Sequence, residues 1–241
     1  MDRPTHLKPG ALVKRHRLAT RLWHWLNALA VIVLFMSGLM ILNAHPRLYW
    51  GEYGANFDPA WLELPRMPGW ATIPSTYDLA GARRWHLAFA WLFVAGIVVF
   101  LVASAFNRHL WRDLLPRPRE LAPDHIWADI RDHARLRFPV GEAALRYSLL
   151  QKLSYAIVIF LLLPLMILSG LTMSPGMDAA WPWLLDLFGG RQSARSIHFI
   201  AAAAIVLFVF VHLVMVLLAG PVNEIRSMIT GRFRIPKGAD R

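Results

Sequence analysis

The sequence predicts an all-α integral membrane protein: a four-helix bundle with both termini cytoplasmic and a long aromatic periplasmic loop. Three observations predict it. Of 241 residues, 56% are hydrophobic and only 17% charged, against roughly 45–50% and 25% in soluble domains. Four stretches are long and apolar enough to span a bilayer, which takes about 20 residues. The net charge of +11 is also laid out on one side only.

The four stretches run from about residue 22 to 43, 85 to 106, 149 to 173 and 197 to 220. None has the charged start, short apolar core and small-residue cleavage site of a signal peptide, so the first is expected to be retained. The tails and the 107–148 connection, with the helix ends beside them, hold 20 Lys/Arg and 9 Asp/Glu. Loops 44–84 and 174–196 hold six of each. Excess Lys and Arg marks the cytoplasmic side, so both termini are expected inside and these two loops outside. The basic character is then a rim beside anionic membrane lipid, and nucleic acid is not expected as a partner. Absence of Cys excludes disulfides, iron–sulfur clusters held by thiolates and covalently attached haem.

Loop 44–84 carries Tyr49, Trp50, Tyr53, Phe57, Trp61, Trp70 and Tyr77 with five Pro, and loop 174–196 carries Trp181 and Trp183. They read as an interfacial aromatic belt or as a docking surface for a partner. The amphipathic stretch from Asp124 to Arg137 is expected on the membrane surface. Ser37-Gly38-Leu39-Met40 in the first stretch and Ser169-Gly170-Leu171-Thr172-Met173 in the third form a faint repeat, suggesting two related hairpins. Gly38, Gly96 and Gly170 suit close helix packing or room for a flat macrocycle. Pro164 is expected to bend the third span.

Six of ten histidines (His6, His16, His45, His109, His125 and His133) fall in tails and loops, where solvation is the default. His24, His86, His198 and His212 fall in or at the ends of the spans, where an ionisable residue is functional by default. His198 and His212 are 14 residues apart, which on a helix is about 21 Å along the axis and about 40° around it. They face nearly the same way at two depths. His86 enters from outside and His24 from inside. Each therefore has one partner at its level: His86 with His198, and His24 with His212. Two imidazoles on facing helices can grip one haem iron from both sides. The depths of His24 and His212 agree if the first helix extends back through residues 18–23, and His16 is the alternative ligand there.

Arg21, Arg83 and Arg195 each precede a span histidine by three residues. The spacing shares a helix face, one turn nearer the water, where fork-shaped donors would meet haem propionates. Snorkelling explains any one of them equally well. Zinc would need three or four ligands at one point, and the spans contain no Asp or Glu for a proton relay or a di-iron site.

Arg21-Leu22-Trp23-His24-Trp25-Leu26-Asn27, the four-histidine layout, and Gly220-Pro221 through Asn223, Arg226 and Gly231 together resemble the bacterial di-haem cytochrome b family. Its members include cytochrome b561 and nickel-hydrogenase types, formate dehydrogenase gamma subunits and thiosulfate reductase cytochrome b subunits. The resemblance covers about residues 14 to 235, as one transmembrane domain over 1–241 of the bacterial inner membrane. It implies that His24 and His212 ligate an inner haem b and His86 and His198 an outer one, all four as iron ligands. It also implies that a quinone binds near the inner haem, with Asn223 and Arg226 as candidates. The function implied is transmembrane electron transfer between quinone and a periplasmic redox partner docking on loops 44–84 and 174–196, with a molybdopterin enzyme as the expected partner. The long Trp-rich outer loop departs from the gamma subunits. Two other classes stay open: a self-contained quinone oxidoreductase acting on a small oxidant, and a non-redox transporter or scaffold.

Overall fold

The computed structural model describes residue 8 and residues 10–107 and 115–236. His6 and His109 lie outside the described residues. Among these residues the chain runs through β1 (Leu12–Lys14), α1 (Leu18–Asn43), β2 (Arg47–Leu48), β3 (Leu62–Glu63), α2 (Leu79–Phe106) and α3 (Pro123–Ala134). It continues through α4 (Leu149–Ile157), α5 (Leu163–Thr172), α6 (Pro175–Ala180), α7 (Pro182–Leu187), α8 (Arg191–Ala219), α9 (Pro221–Thr230) and β4 (Arg232–Arg234). Four helical stretches of 26 to 30 residues are long and apolar enough to cross a membrane. The protein is an all-α, multi-pass membrane protein.

The helices start earlier than their apolar runs. α1 begins at Leu18, α2 at Leu79 and α8 at Arg191, because hydropathy marks the segment in hydrocarbon whereas backbone hydrogen bonding continues into the polar rim. The third span is α4 and α5 joined by a π-helical turn, Val158–Leu162. Its cause is Pro164, which lacks an N–H and clashes with the carbonyl four residues back. The widened turn absorbs both defects, so the expected bend takes the form of a π-bulge.

Two compact units divide the chain. The first takes residues up to Trp25, Leu101–Ile157 and Phe208 onward. Within it β1 pairs antiparallel with β4, Leu12 opposite Arg234, and Phe233 and Ile235 are buried beneath this clip. The Arg15 guanidinium lies 4.4 Å from the Phe233 ring centre and 3.1 Å from the Glu224 carboxylate. Gly231 ends α9 at φ 77°, and an added Cβ there would come within 2.7 Å of the His16 carbonyl oxygen; only glycine fits. The amphipathic stretch becomes α3, with Trp127 and Ile130 exposed. It is tied to α4, where Leu150 N–H donates to Asp129 (2.8 Å) and Lys152, itself 6% exposed, donates to Glu120 (2.7 Å).

The second unit takes Leu26–Phe100 and Val158–Leu207. Leu184, Phe188 and Ala194 form a buried cluster against Leu165, Leu171 and Ile197. Residues 44–78 are an ordered strap pinned to the first turns of α8. Gly51 C=O accepts from Gln192 and Ser193 N–H (3.0 and 3.1 Å), and Gly51 N–H donates to Ser193 Oγ (2.7 Å). Gly190, at φ 102°, lets that strap pass, since a Cβ would sit 2.7 Å from Gly51 backbone. Asn43 brackets Met67 with two hydrogen bonds (3.0 and 2.7 Å). Tyr49 is a core residue at 3% exposure, while Tyr53, Phe57, Trp70 and Tyr77 project outward.

Candidate haem-binding sites

Helix α1 brings His24, and α8 brings His212, to a ring-centre separation of 6.3 Å. In the second unit α2 brings His86 and α8 brings His198 to the same separation, 6.3 Å. These are the two pairs that helical arithmetic predicts. At 6.3 Å the facing nitrogens are at least roughly 4 Å apart, beyond the 2.7–3.2 Å of a hydrogen bond. The histidines of a pair therefore do not satisfy each other. An iron between them fits: two metal–imidazole bonds of about 2.0–2.1 Å plus roughly 1.1 Å from each nitrogen to its ring centre total about 6.3 Å. The rings of each pair are twisted by 68° and 60°.

Each ring is held. Phe208 stacks on His212 one helical turn away, at 6.3 Å and 20°, and Trp25 meets His24 edge-on at 5.3 Å. His86 Nδ1 lies 3.0 Å from Ser37 Oγ and 3.1 Å from the Leu34 carbonyl. His198 Nδ1 lies 3.1 Å from Ser169 Oγ. A Cβ on Gly38 would be 3.5 Å from His86 Cε1, and one on Gly170 only 3.2 Å from His198 Cε1. The Ser-Gly repeat thus seats the two imidazoles. In the sequence the repeat reads as related hairpins, with its glycines suited to helix packing or to a flat macrocycle; no local signal tells which neighbouring helix faces it.

The arginines differ from one another. Arg21 is half-buried and its Nε is buried with no hydrogen-bond partner among the described residues, a free donor three residues before His24. Arg83 is exposed. Arg195 donates to the Arg47 carbonyl (2.8 Å) and to the His45 carbonyl, so its terminal nitrogens hold the strap. Asn223 is likewise engaged: it donates to Arg234 C=O (2.8 Å) and accepts from Arg234 N–H (2.9 Å), clamping β4. With Arg226 it lines an open cavity of about 620 Å³ that also includes Gly10, Val222 and Ile235.

His16 stands ahead of α1, and the ring that faces His212 is His24. Burial first, and then Arg15, His24 and Arg21, push His16 down to about 4, so it is neutral at physiological pH. His45 departs from the solvated default. It stacks on Tyr49 (5.7 Å, 25°), and its Nε2 is buried without a partner among the described residues. Burial, Arg195 and Arg47 lower its pKa. His133 bonds its own helix through Asp129 (2.9 Å), and His125 is exposed.

Four spanning helices that hold facing imidazole pairs, with no acid inside the spans, have the build of a membrane electron carrier. The family model of prokaryotic cytochrome b561 matches residues 15–231, and the chain belongs to that family. It is thus a b-type cytochrome of the bacterial inner membrane that serves membrane electron transfer with haem b. Among its relatives is a putative protein-methionine-sulfoxide reductase subunit, YedZ1, of Azospira oryzae, 32% identical over 82% of this chain and 87% of the relative. Others are probable Ni/Fe-hydrogenase B-type cytochrome subunits of Cupriavidus necator (25% identical; 88% of this chain, 82% of the relative) and Azotobacter vinelandii (25%; 80% and 75%). No solved structure matches the chain.

Proposed function

We propose that the chain is a di-haem cytochrome that carries electrons between the quinone pool and a redox enzyme on the periplasmic side. His24 and His212 hold the haem b near the cytoplasmic face, and His86 and His198 hold the one near the periplasmic face. The observation that carries this reading is one ring separation, 6.3 Å, recurring in two pairs built by different helix combinations. Each bound haem supplies a reversible one-electron couple. The chain's residues do the rest. Four imidazoles fix the position and orientation of the irons, Phe208 and Trp25 lock one pair, and the surrounding apolar helix faces exclude water.

Arg21 offers its free Nε to a propionate of the cytoplasmic-side haem. Arg83 and Arg195 place positive charge at the periplasmic-side haem, where, by the sign of Coulomb's law, it favours the reduced state. The cavity at Asn223 and Arg226 is the quinone candidate, with Arg226 as the charged donor and Asn223 held in place by its two bonds to Arg234. Loops 44–84 and 174–196 receive the partner on the outward aromatics, Trp50, Tyr53, Phe57 and Trp183. Relatives named as subunits of a reductase and of hydrogenases support a redox enzyme as the partner. A molybdopterin enzyme is the partner class expected.

Reconstitution into liposomes tests the reading. A membrane-soluble quinol should reduce the haems, and an impermeant electron acceptor on the periplasmic face should reoxidise them. Haems that ignore quinol contradict the proposed carrier.

A further inference from the structure

The paired Ser-Gly steps carry an inference about the periplasmic-side histidines that rests on the di-haem reading. Ser37 Oγ lies 2.6 Å from the Val33 carbonyl and 3.2 Å from that of Leu34, its positions i−4 and i−3. A hydroxyl has one proton, and the 2.6 Å contact with a carbonyl spends it there. Toward His86 the oxygen then offers only a lone pair, as does the Leu34 carbonyl at 3.1 Å. Two acceptors facing one ring nitrogen require that nitrogen to be the donor, so the network puts the imidazole proton on Nδ1. That leaves Nε2 bare.

The arrangement repeats in α5. Ser169 Oγ donates to the Leu165 carbonyl at i−4 and approaches that of Met166 at i−3 (3.3 Å). His198 Nδ1 meets Ser169 Oγ at 3.1 Å, and with the hydroxyl proton spent on Leu165 that oxygen again offers only a lone pair. Ser37 and Ser169 are both 0% exposed. Neither hydroxyl can be reoriented by water, and each is followed by a glycine that lies against the ring, tightly at Gly170 and at ordinary contact distance at Gly38.

We propose that Ser37 and Ser169 are positioning residues that fix the tautomer and tune the basicity of His86 and His198, and so set the potential of the haem between them. Hydrogen bonding from a ligand's remote N–H raises its electron donation to the metal. More donation stabilises the oxidised iron. The two seats therefore hold that haem's midpoint down, each through its own ligand.

The test is a potentiometric titration of the purified haem-loaded protein, following the α-bands of both haems, for Ser37→Ala, Ser169→Ala and the double variant. Ser37→Thr and Ser169→Thr keep the hydroxyl. Haem content is measured on each sample. One of the two components should shift to higher potential in each Ala variant, further in the double, and return toward wild type with Thr. The other component should stay. Selective loss of one haem in the Ala variants, with retention in Thr, supports the same seats. A wild-type protein with two haems whose midpoints ignore all the substitutions, or move downward, overturns the inference and leaves the di-haem reading standing. A wild-type protein lacking the second haem sinks that reading itself.

Discussion

The same added methyl has different consequences at the two glycine seats. At Gly170 an added Cβ would stand 3.2 Å from His198, tighter than ordinary contact, whereas at Gly38 it would stand 3.5 Å from His86. Gly170→Ala should therefore displace its imidazole and lower haem occupancy, while Gly38→Ala should be tolerated; absorbance per protein in the two variants checks the order. Arg195 offers a second case. Each hydrogen bond from its charged group to the strap contributes about 1.5–3 kcal/mol. Arg195→Gln should loosen residues 44–63, seen as faster proteolysis there, besides lowering the midpoint of the nearby haem. The residue scale was half legible. Four histidines announced themselves because imidazoles are rare in hydrocarbon. His45 did not, and Asn223, named as a quinone candidate, gave no sign of its bonds to Arg234, because a stacked loop histidine and an amide bridging a later strand depend on contacts that no local spacing encodes.

Among the elements, the 115–148 segment forms a strap of its own, fastened to α4 by the buried Lys152 on Glu120 and by the Leu150 N–H on Asp129. Burial alone would raise the Glu120 carboxyl. The Arg117 backbone N–H and the Lys152 ammonium outweigh it, with the Arg117 charge, and hold it below its usual value. A carboxyl lowered on folding stabilises the folded state above its unfolded pKa, and that stabilisation is lost as pH falls through the folded pKa. The strap should accordingly release in acid, below the ordinary carboxylate range, and Trp127 fluorescence on membranes would report it. Glu120→Gln should release it at neutral pH by about 1–3 kcal/mol, because Lys152 is left buried without its anion while Glu120 itself is partly solvated. Span count and the Pro164 defect were legible at this scale. The form of the defect was not: proline marks where the ladder breaks, and neighbouring packing decides between a kink and a π-turn.

For the whole molecule, the charge asymmetry makes a prediction independent of any cofactor. With +11 on one side and zero on the other, a reporter fused to the C-terminus should be active only if it functions in the cytoplasm, and one inserted near residue 57 only if it functions in the periplasm. The architecture was readable because a bilayer admits so few solutions. The ordered strap over 44–78 was not, since its bonds run from backbone to α8 and leave no periodic trace. The proposed electron carrier requires iron held between paired imidazoles. Its most direct test is the dithionite-reduced minus oxidised spectrum of the purified protein with haem counted per chain. Two b-type haems in the wild type, falling to one in either His198→Ala or His212→Ala, is the predicted result. Unchanged haem content in all four single histidine variants would contradict it.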